Sequence, residues 1–132
     1  MQIKKITIRT NSKTEFIDIT SYVREAVSVA QVTAGEVLIY CPHTTAAITI
    51  NENADPAVKR DIIYMIRKLI PEKENYTHYE GNSSAHIAST LVGASETVPI
   101  KDGSMMLGTW QGIYFCEFDG PRTRSFIIEV KG

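Results

Sequence analysis

Two β-branched, apolar runs, Val37 to Cys41 and Ala46 to Ile50, are separated by only the four residues Pro42-His43-Thr44-Thr45. A parallel neighbour requires a crossover of a dozen or more residues, usually through a helix. Four residues allow a bend and nothing more, so the chain must turn sharply here, with His43 at a strand end. The segments on either side are equally short. Alternation in Ile6-Thr7-Ile8 and in Phe16-Ile17-Asp18-Ile19, around the polar turn Asn11-Ser12-Lys13, predicts an opening β-hairpin. Thr20 or Ser21 is placed to cap a helix whose apolar stripe is Val23, Ala26, Val27 and Ala30, and Gly35 is placed to end it.

Asp55-Pro56 is a strong helix start, with Asp as cap and Pro at the first helical position, where its missing N–H is harmless. The expected buried stripe is Val58, Ile62, Met65, Ile66 and Leu69, and Pro71 stops the helix. Residues 72–81 are polar, hold Tyr76 and Tyr79, and read as a functional loop. A third helix runs from about Ser83 to Val92 and ends at Gly93, with His86 near its first turn. The remainder is β-rich: Val98 to Ile100, the turn Lys101-Asp102-Gly103, Met105 to Leu107, Ile113 to Phe118, the turn Asp119-Gly120-Pro121, and Ser125 to Val130, read as hairpins. The expected architecture is α+β, with mixed or antiparallel sheets packed together and three helices on one side, in a single domain over residues 1–132.

A formal net charge of −1 provides no field to hold a nucleic-acid backbone or an anionic membrane. No apolar run approaches the roughly 20 residues that span a bilayer, and a cytoplasmic location is expected. Cys41 and Cys116 each fall in an apolar strand-like run, where free cysteine behaves as a small buried hydrophobe, so no disulfide is expected.

All three histidines, His43, His78 and His86, lie in one stretch with Asn51, Glu52, Asn53, Asp55, Glu80 and Asn82. Imidazole can serve near neutral pH as metal ligand, proton carrier or phosphate donor. The spacing of His78 and His86 matches no short zinc motif, and strand and helix capping is an equally good account of these residues. Asp55 needs no explanation beyond its cap. If the imidazoles converge, they make a zinc-type site with an open position; if they do not, His86 at a helix start becomes a phosphate binder. The single tryptophan stands in Gly108-Thr109-Trp110-Gln111-Gly112, where core or subunit interface is the expectation ahead of ligand contact. Arg122 and Arg124 flank the last turn, either as anion binders or as solvated hairpin charges. No phosphate-cradling glycine loop, paired-cysteine motif or Gly-x-Ser-x-Gly elbow occurs.

The segments His43-Thr44-Thr45-Ala46-Ala47-Ile48-Thr49-Ile50-Asn51-Glu52-Asn53-Ala54-Asp55-Pro56, Asn75-Tyr76-Thr77-His78-Tyr79-Glu80-Gly81, Ala85-His86-Ile87 and Leu107-Gly108-Thr109-Trp110-Gln111-Gly112-Ile113 together resemble the YjbQ family, also called UPF0047. The resemblance implies a compact α+β fold assembled as a homotrimer, with sites near subunit boundaries. It also implies a secondary thiamine-phosphate synthase activity, joining a pyrimidine-methyl diphosphate to a thiazole phosphate with release of pyrophosphate. The family-matching positions are His43, Asn51, Glu52, Asp55, His78, His86, Thr109, Trp110 and Gln111. On this reading His43, His78 and His86 are the metal ligands, with zinc or magnesium as the divalent cofactor. Glu52, His43 and Glu80 are the candidate catalytic groups, and Asn51, Asn82, Thr109, Trp110 and Gln111 contact the phosphorylated small molecule. Some relatives carry cysteine where this chain has Ala54, so a thiol there is not essential to shared chemistry. The alternative is a trimeric protein that binds a metal or phosphometabolite without catalysis.

Overall fold

A computed structural model describes residues 2–132. In chain order the elements are β1 (Gln2–Arg9), β2 (Glu15–Asp18), α1 (Thr20–Ala30), β3 (Ala34–Tyr40), β4 (Ala46–Glu52), α2 (Pro56–Leu69), α3 (Ser83–Val92), β5 (Ser95–Lys101), β6 (Ser104–Met105), β7 (Gln111–Glu117) and β8 (Thr123–Lys131). They form two sheets with antiparallel pairing throughout, one of order β1-β8-β3-β5-β6 and one of order β2-β7-β4. The fold is α+β, as expected.

The bend at residues 42–45 carries the chain from one sheet to the other, since β3 lies in the larger sheet and β4 in the smaller. Two segments expected to form hairpins make crossings of the same kind between the sheets. β1 does not pair with β2: β1 pairs with β8, while β2 pairs with β7. β7 and β8 likewise belong to different sheets. Strand alternation records which face is buried but carries nothing about the partner. The β5–β6 hairpin is as expected. Its two-residue loop is Asp102-Gly103, both at positive φ (52° and 78°), the chemistry a tight right-twisted hairpin requires.

β7 shows how the layers are built. Ile113 and Phe115 point into a core shared with Val23 and Val27 of α1, Val37 and Ile39 of β3, and Phe126 and Ile128 of β8. The alternate residues Tyr114 and Cys116 face the other way, against Ala85 and Ala88 of α3 and Ile62, Ile63 and Ile66 of α2. All three helices therefore lie on one side of the larger sheet, but α1 covers the opposite face of the smaller sheet from α2 and α3. Cys41 and Cys116 are free and buried.

Helix ends agree with expectation where the signal is local. Asp55 Oδ1 accepts the Ala57 N–H at 2.9 Å, with Pro56 next in line. Gly93, at φ 105°, closes α3. Two assignments at α1 are corrected. Ile19, not Thr20 or Ser21, occupies the N-cap, and the Thr20 hydroxyl instead bonds Asp18 Oδ1 at 2.6 Å and accepts the Ile113 N–H at 2.8 Å. Gln31, at φ 54°, ends the helix. Gly35 sits inside β3, where the Lys131 carbonyl passes too close for any Cβ. On α2, Met65 and Leu69 are exposed and Ile63 and Ile70 complete the apolar stripe, so the covered face is rotated from the expected one. No helix among the described residues is long and apolar enough to cross a membrane.

Candidate functional site

His78 and His86 come together. Their ring centroids are 5.2 Å apart with planes at 86°, an edge-to-face pair. His86 projects from the start of α3, and His78 is held by a tight turn in which the Gly81 N–H bonds the His78 carbonyl at 3.3 Å. Gly81 makes that turn at φ 79°, a conformation costly for residues with a Cβ. Tyr76 anchors the preceding loop by donating to the Pro71 carbonyl at 2.6 Å. The pair lines a cavity of about 460 Å³ with Asn75, Tyr76, Thr77, Ser83 and Ile87.

No side chain caps α3. Asn82 holds the N-cap position, but its amide nitrogen donates to Asp119 Oδ2 at 2.9 Å, and its buried Oδ1 has no protein partner. The Ala85 N–H bonds the Asn82 carbonyl at 3.1 Å, which leaves the N–H groups of Ser83 and Ser84, with the positive end of the helix dipole, at the start of the helix. Asp119 also pairs with Arg122 at 2.9 Å. Burial pushes the Asp119 carboxyl up, but hydrogen bonds from Asn82 and Arg122 outweigh it and hold the group below the ordinary carboxylate range. It is therefore an anion that fixes Asn82. Glu80 is exposed and does not line the cavity.

His43 lies elsewhere, in the bend between β3 and β4. Its Nε2 is 3.0 Å from the Ser125 backbone nitrogen and 3.1 Å from the Ser125 carbonyl oxygen. With its proton on Nδ1 the neutral ring accepts the N–H at Nε2; with a proton on Nε2 the ring donates to the carbonyl. Burial, reinforced by the nearby Arg124 guanidinium, lowers the His43 pKa and favours the neutral form. The three imidazoles do not converge within one protomer. Among the described residues no group of three His, Cys, Asp or Glu side chains is placed to hold a metal ion.

A second set of expected residues gathers at the end of the smaller sheet. Asn51 is opposite Gly112 and Glu52 opposite Gln111 in the β4–β7 register, and the Asn53 N–H bonds the Trp110 carbonyl at 3.0 Å. Thr109, Gln111 and Asn53 line a polar cavity of about 520 Å³ together with Arg24 and Ser28 of α1. Several of these side chains hold backbone. Asn51 Oδ1 accepts the Glu52 N–H at 2.7 Å, Glu52 Oε2 accepts the Asp55 N–H at 3.2 Å, and Gln111 Oε1 accepts the Gly108 N–H at 2.8 Å. Asn53 donates to Asp18 Oδ2 at 3.0 Å. Trp110 is 62% exposed, so it is not a core residue of the protomer.

Neither Arg122 nor Arg124 is a free anion binder, and only Arg122 is a solvated hairpin charge, its side chain being 53% exposed. Arg122 is committed to Asp119, and Arg124 is buried with Glu117. Reading the sequence missed Arg24 and Asp119. Arg24 looks like an ordinary exposed helix charge, and only the packing of α1 beside Thr109 and Gln111 gives it a site.

A family model described as "UPF0047 protein YjbQ-like" matches residues 4–132. The chain is 58% identical over 128 residues to UPF0047 protein MJ1081 of Methanocaldococcus jannaschii, covering 97% of this chain and 93% of that one. It is 52% identical over 131 residues to UPF0047 protein YugU of Bacillus subtilis, covering 98% and 99%. Among solved structures, an uncharacterized conserved protein of the yjbq/upf0047 family from Clostridium acetobutylicum superposes with a TM-score of 0.96 at 48% identity, covering 97% of this chain and 99% of that one. The hypothetical protein APE1520 of Aeropyrum pernix gives 0.95 at 36% identity, covering 100% and 99%.

Proposed function

The chain belongs to the UPF0047 YjbQ-like family, and on that premise we propose that it binds a phosphorylated small molecule between His78 and His86. The reaction that the family resemblance implies is transfer of a pyrimidine-methyl group from its diphosphate to a thiazole phosphate, with loss of pyrophosphate. The observation that carries the reading is the edge-to-face imidazole pair beside an uncapped helix start. Imidazole nitrogens of His78 and His86 and the N–H of Ser83, all residues of one cavity, are donors suited to phosphate oxygens.

A leaving diphosphate needs its developing charge stabilised in a confined cleft, and imidazole donors supply this without rearrangement. A zinc ion takes three or four protein donors. The pair supplies two, and no third joins it among the described residues, so these residues by themselves do not make a zinc site. Magnesium would be held largely through phosphate oxygens and needs no such cluster. The expected homotrimer belongs to the same proposal, and the exposed Trp110 is suited to a boundary between copies.

A second reading, binding without catalysis, is favoured by the carboxylates. Glu80 does not reach the imidazole cavity and Glu52 is engaged at the start of α2, so neither stands as a base beside the pair. The deciding experiment is thiamine phosphate formation from the two phosphorylated precursors, comparing highly purified wild type with His86→Ala under identical metal conditions. Activity lost in the variant supports the transferase. If wild type is inactive, or both proteins are equally active, the transferase reading fails and pyrophosphate binding by the wild type supports the binding protein.

A further inference from the structure

On the other flank of α3 lies a larger cleft, of about 750 Å³, between α2, α3 and the end of β7. Ser83 and His86 face the imidazole cavity, whereas Ser84, Ala85 and Ala88 face this one. Its walls are apolar, from Ile63 and Ile66 of α2, Ile70 at its C-cap, Ala85 and Ala88 of α3, and Phe118. Its mouth is cationic. Arg60, Arg67, Lys68 and Lys13 line it against the single carboxylate of Glu72, in a chain whose formal net charge is −1.

Local sequence explains why the three cations of α2 are unpaired. Arg60, Arg67 and Lys68 have no acidic residue three or four positions away on α2, so the usual helical ion pairs cannot form. None of the three takes part in an ion pair among the described residues. Lys13 is 3.8 Å from Asp119. Arg60 and Arg67 are seven residues apart, two helical turns or about 10 Å, on one face with Ile63 between them. The volume lies in the range of small-molecule sites, roughly 300 to 1,000 Å³, which are apolar cavities with few polar groups that set orientation.

We propose that this cleft binds a soluble amphipathic anion, an aliphatic chain ending in phosphate. The chain occupies the apolar walls, and the phosphate sits at the mouth against Arg60 and Arg67. With Lys13 paired to Asp119, the three remaining cations against one carboxylate suit a doubly charged head, and guanidinium engages phosphate in bidentate fashion. The concave shape suits a single inserted molecule rather than a bilayer surface. Neither His78 nor His86 lines the cleft, so the site stands independently of the transferase reading.

The test is calorimetric titration of the full chain with a series of alkyl phosphates from butyl to dodecyl, all below their micelle concentrations. Dodecanol and inorganic phosphate serve as controls. The expected result is one site per chain, with affinity rising up to about fourfold per added methylene until the walls are covered. Arg60→Gln and Arg67→Gln, both exposed and so tolerated by the fold, each weaken dodecyl phosphate about tenfold, the scale of one charged hydrogen bond. His86→Ala leaves the affinity unchanged. Affinity that ignores chain length, equal binding of dodecanol, or insensitivity to both arginine variants overturns the proposal. So does capture by anionic phosphatidylglycerol vesicles without any response to the monomeric series. A change in sedimentation mass of the double arginine variant would show instead that the cleft is a contact between copies of this chain.

Discussion

Glu117 and Arg124 form a buried two-pronged ion pair that ties together three of the six places where the chain passes between its sheets. Arg124 Nε meets Glu117 Oε1 at 2.9 Å, and Nη2 meets Oε2. Thr10, from the β1–β2 crossing, donates to Glu117 Oε1 at 2.7 Å. Thr45, from the β3–β4 crossing, accepts from Arg124 at 2.8 Å. The β7–β8 crossing supplies the Asp119 N–H to Glu117 Oε2 at 3.0 Å. These three crossings leave backbone and hydroxyl groups without sheet partners, and the pair with its neighbours satisfies several of them. His43 is hydrogen-bonded to Ser125, the next residue after Arg124.

Breaking the pair from one side strands a charge in the interior. Glu117→Gln is expected to destabilise the protein by about 3–5 kcal/mol in urea unfolding, the usual scale for an orphaned buried ion. Replacing both partners, as in Glu117→Gln with Arg124→Met, is expected to cost less than the sum of the single changes. Additive effects would mean that the two side chains do not act as a unit.

Acid should unfold the protein in two stages. His43 has a folded pKa below the ordinary 6.5, so the unfolded chain takes up the proton first and stability falls as pH drops from 6.5 toward the folded value. Burial pushes the Glu117 carboxyl up, but hydrogen bonds from Arg124, Thr10 and Asp119 together hold it below the ordinary 4.5. Its contribution is therefore present above pH 4.5 and lost as pH falls through the folded value. Urea midpoints measured across this range should decline from 6.5 and fall further below 4.5. His43→Asn should remove the upper stage alone, and an unchanged upper stage in that variant would refute the assignment.

Gly112 lies where the Asn53 side chain packs so closely on β7 that no Cβ fits. Gly112→Ala is expected to cost about 1–3 kcal/mol, the range for overpacking a filled interior. Asn53 must swing away, losing its bond to Asp18. Burial pushes the Asp18 carboxyl up, yet Thr20 and Asn53 keep it below 3.8, so its pKa should rise in the variant. A carbon-detected NMR titration of Asp18 reads this directly, and an unmoved pKa would show that Asn53 keeps its place.

The features legible in the sequence are those set within a few residues. The Asp55-Pro56 start of α2, the Gly93 end of α3 and the Asp102-Gly103 hairpin each follow from the φ and hydrogen-bonding needs of one turn. The His78–His86 pair is nearly local, because eight residues containing a Gly81 turn can fold back on a helix start. The motif segments at Asn51 and Trp110 mark the right part of the chain, but their convergence across β4 and β7 is a pairing between segments more than fifty residues apart. Tertiary structure alone decided that β1 and β2 part company, that β7 and β8 lie in different sheets, and that His43 stands away from the other two histidines. It also turned Arg124 from an apparent hairpin charge into the buried partner of Glu117. Alternation records which side chains are buried and says nothing about which strand lies alongside, so partner choice falls to the packing of the whole core.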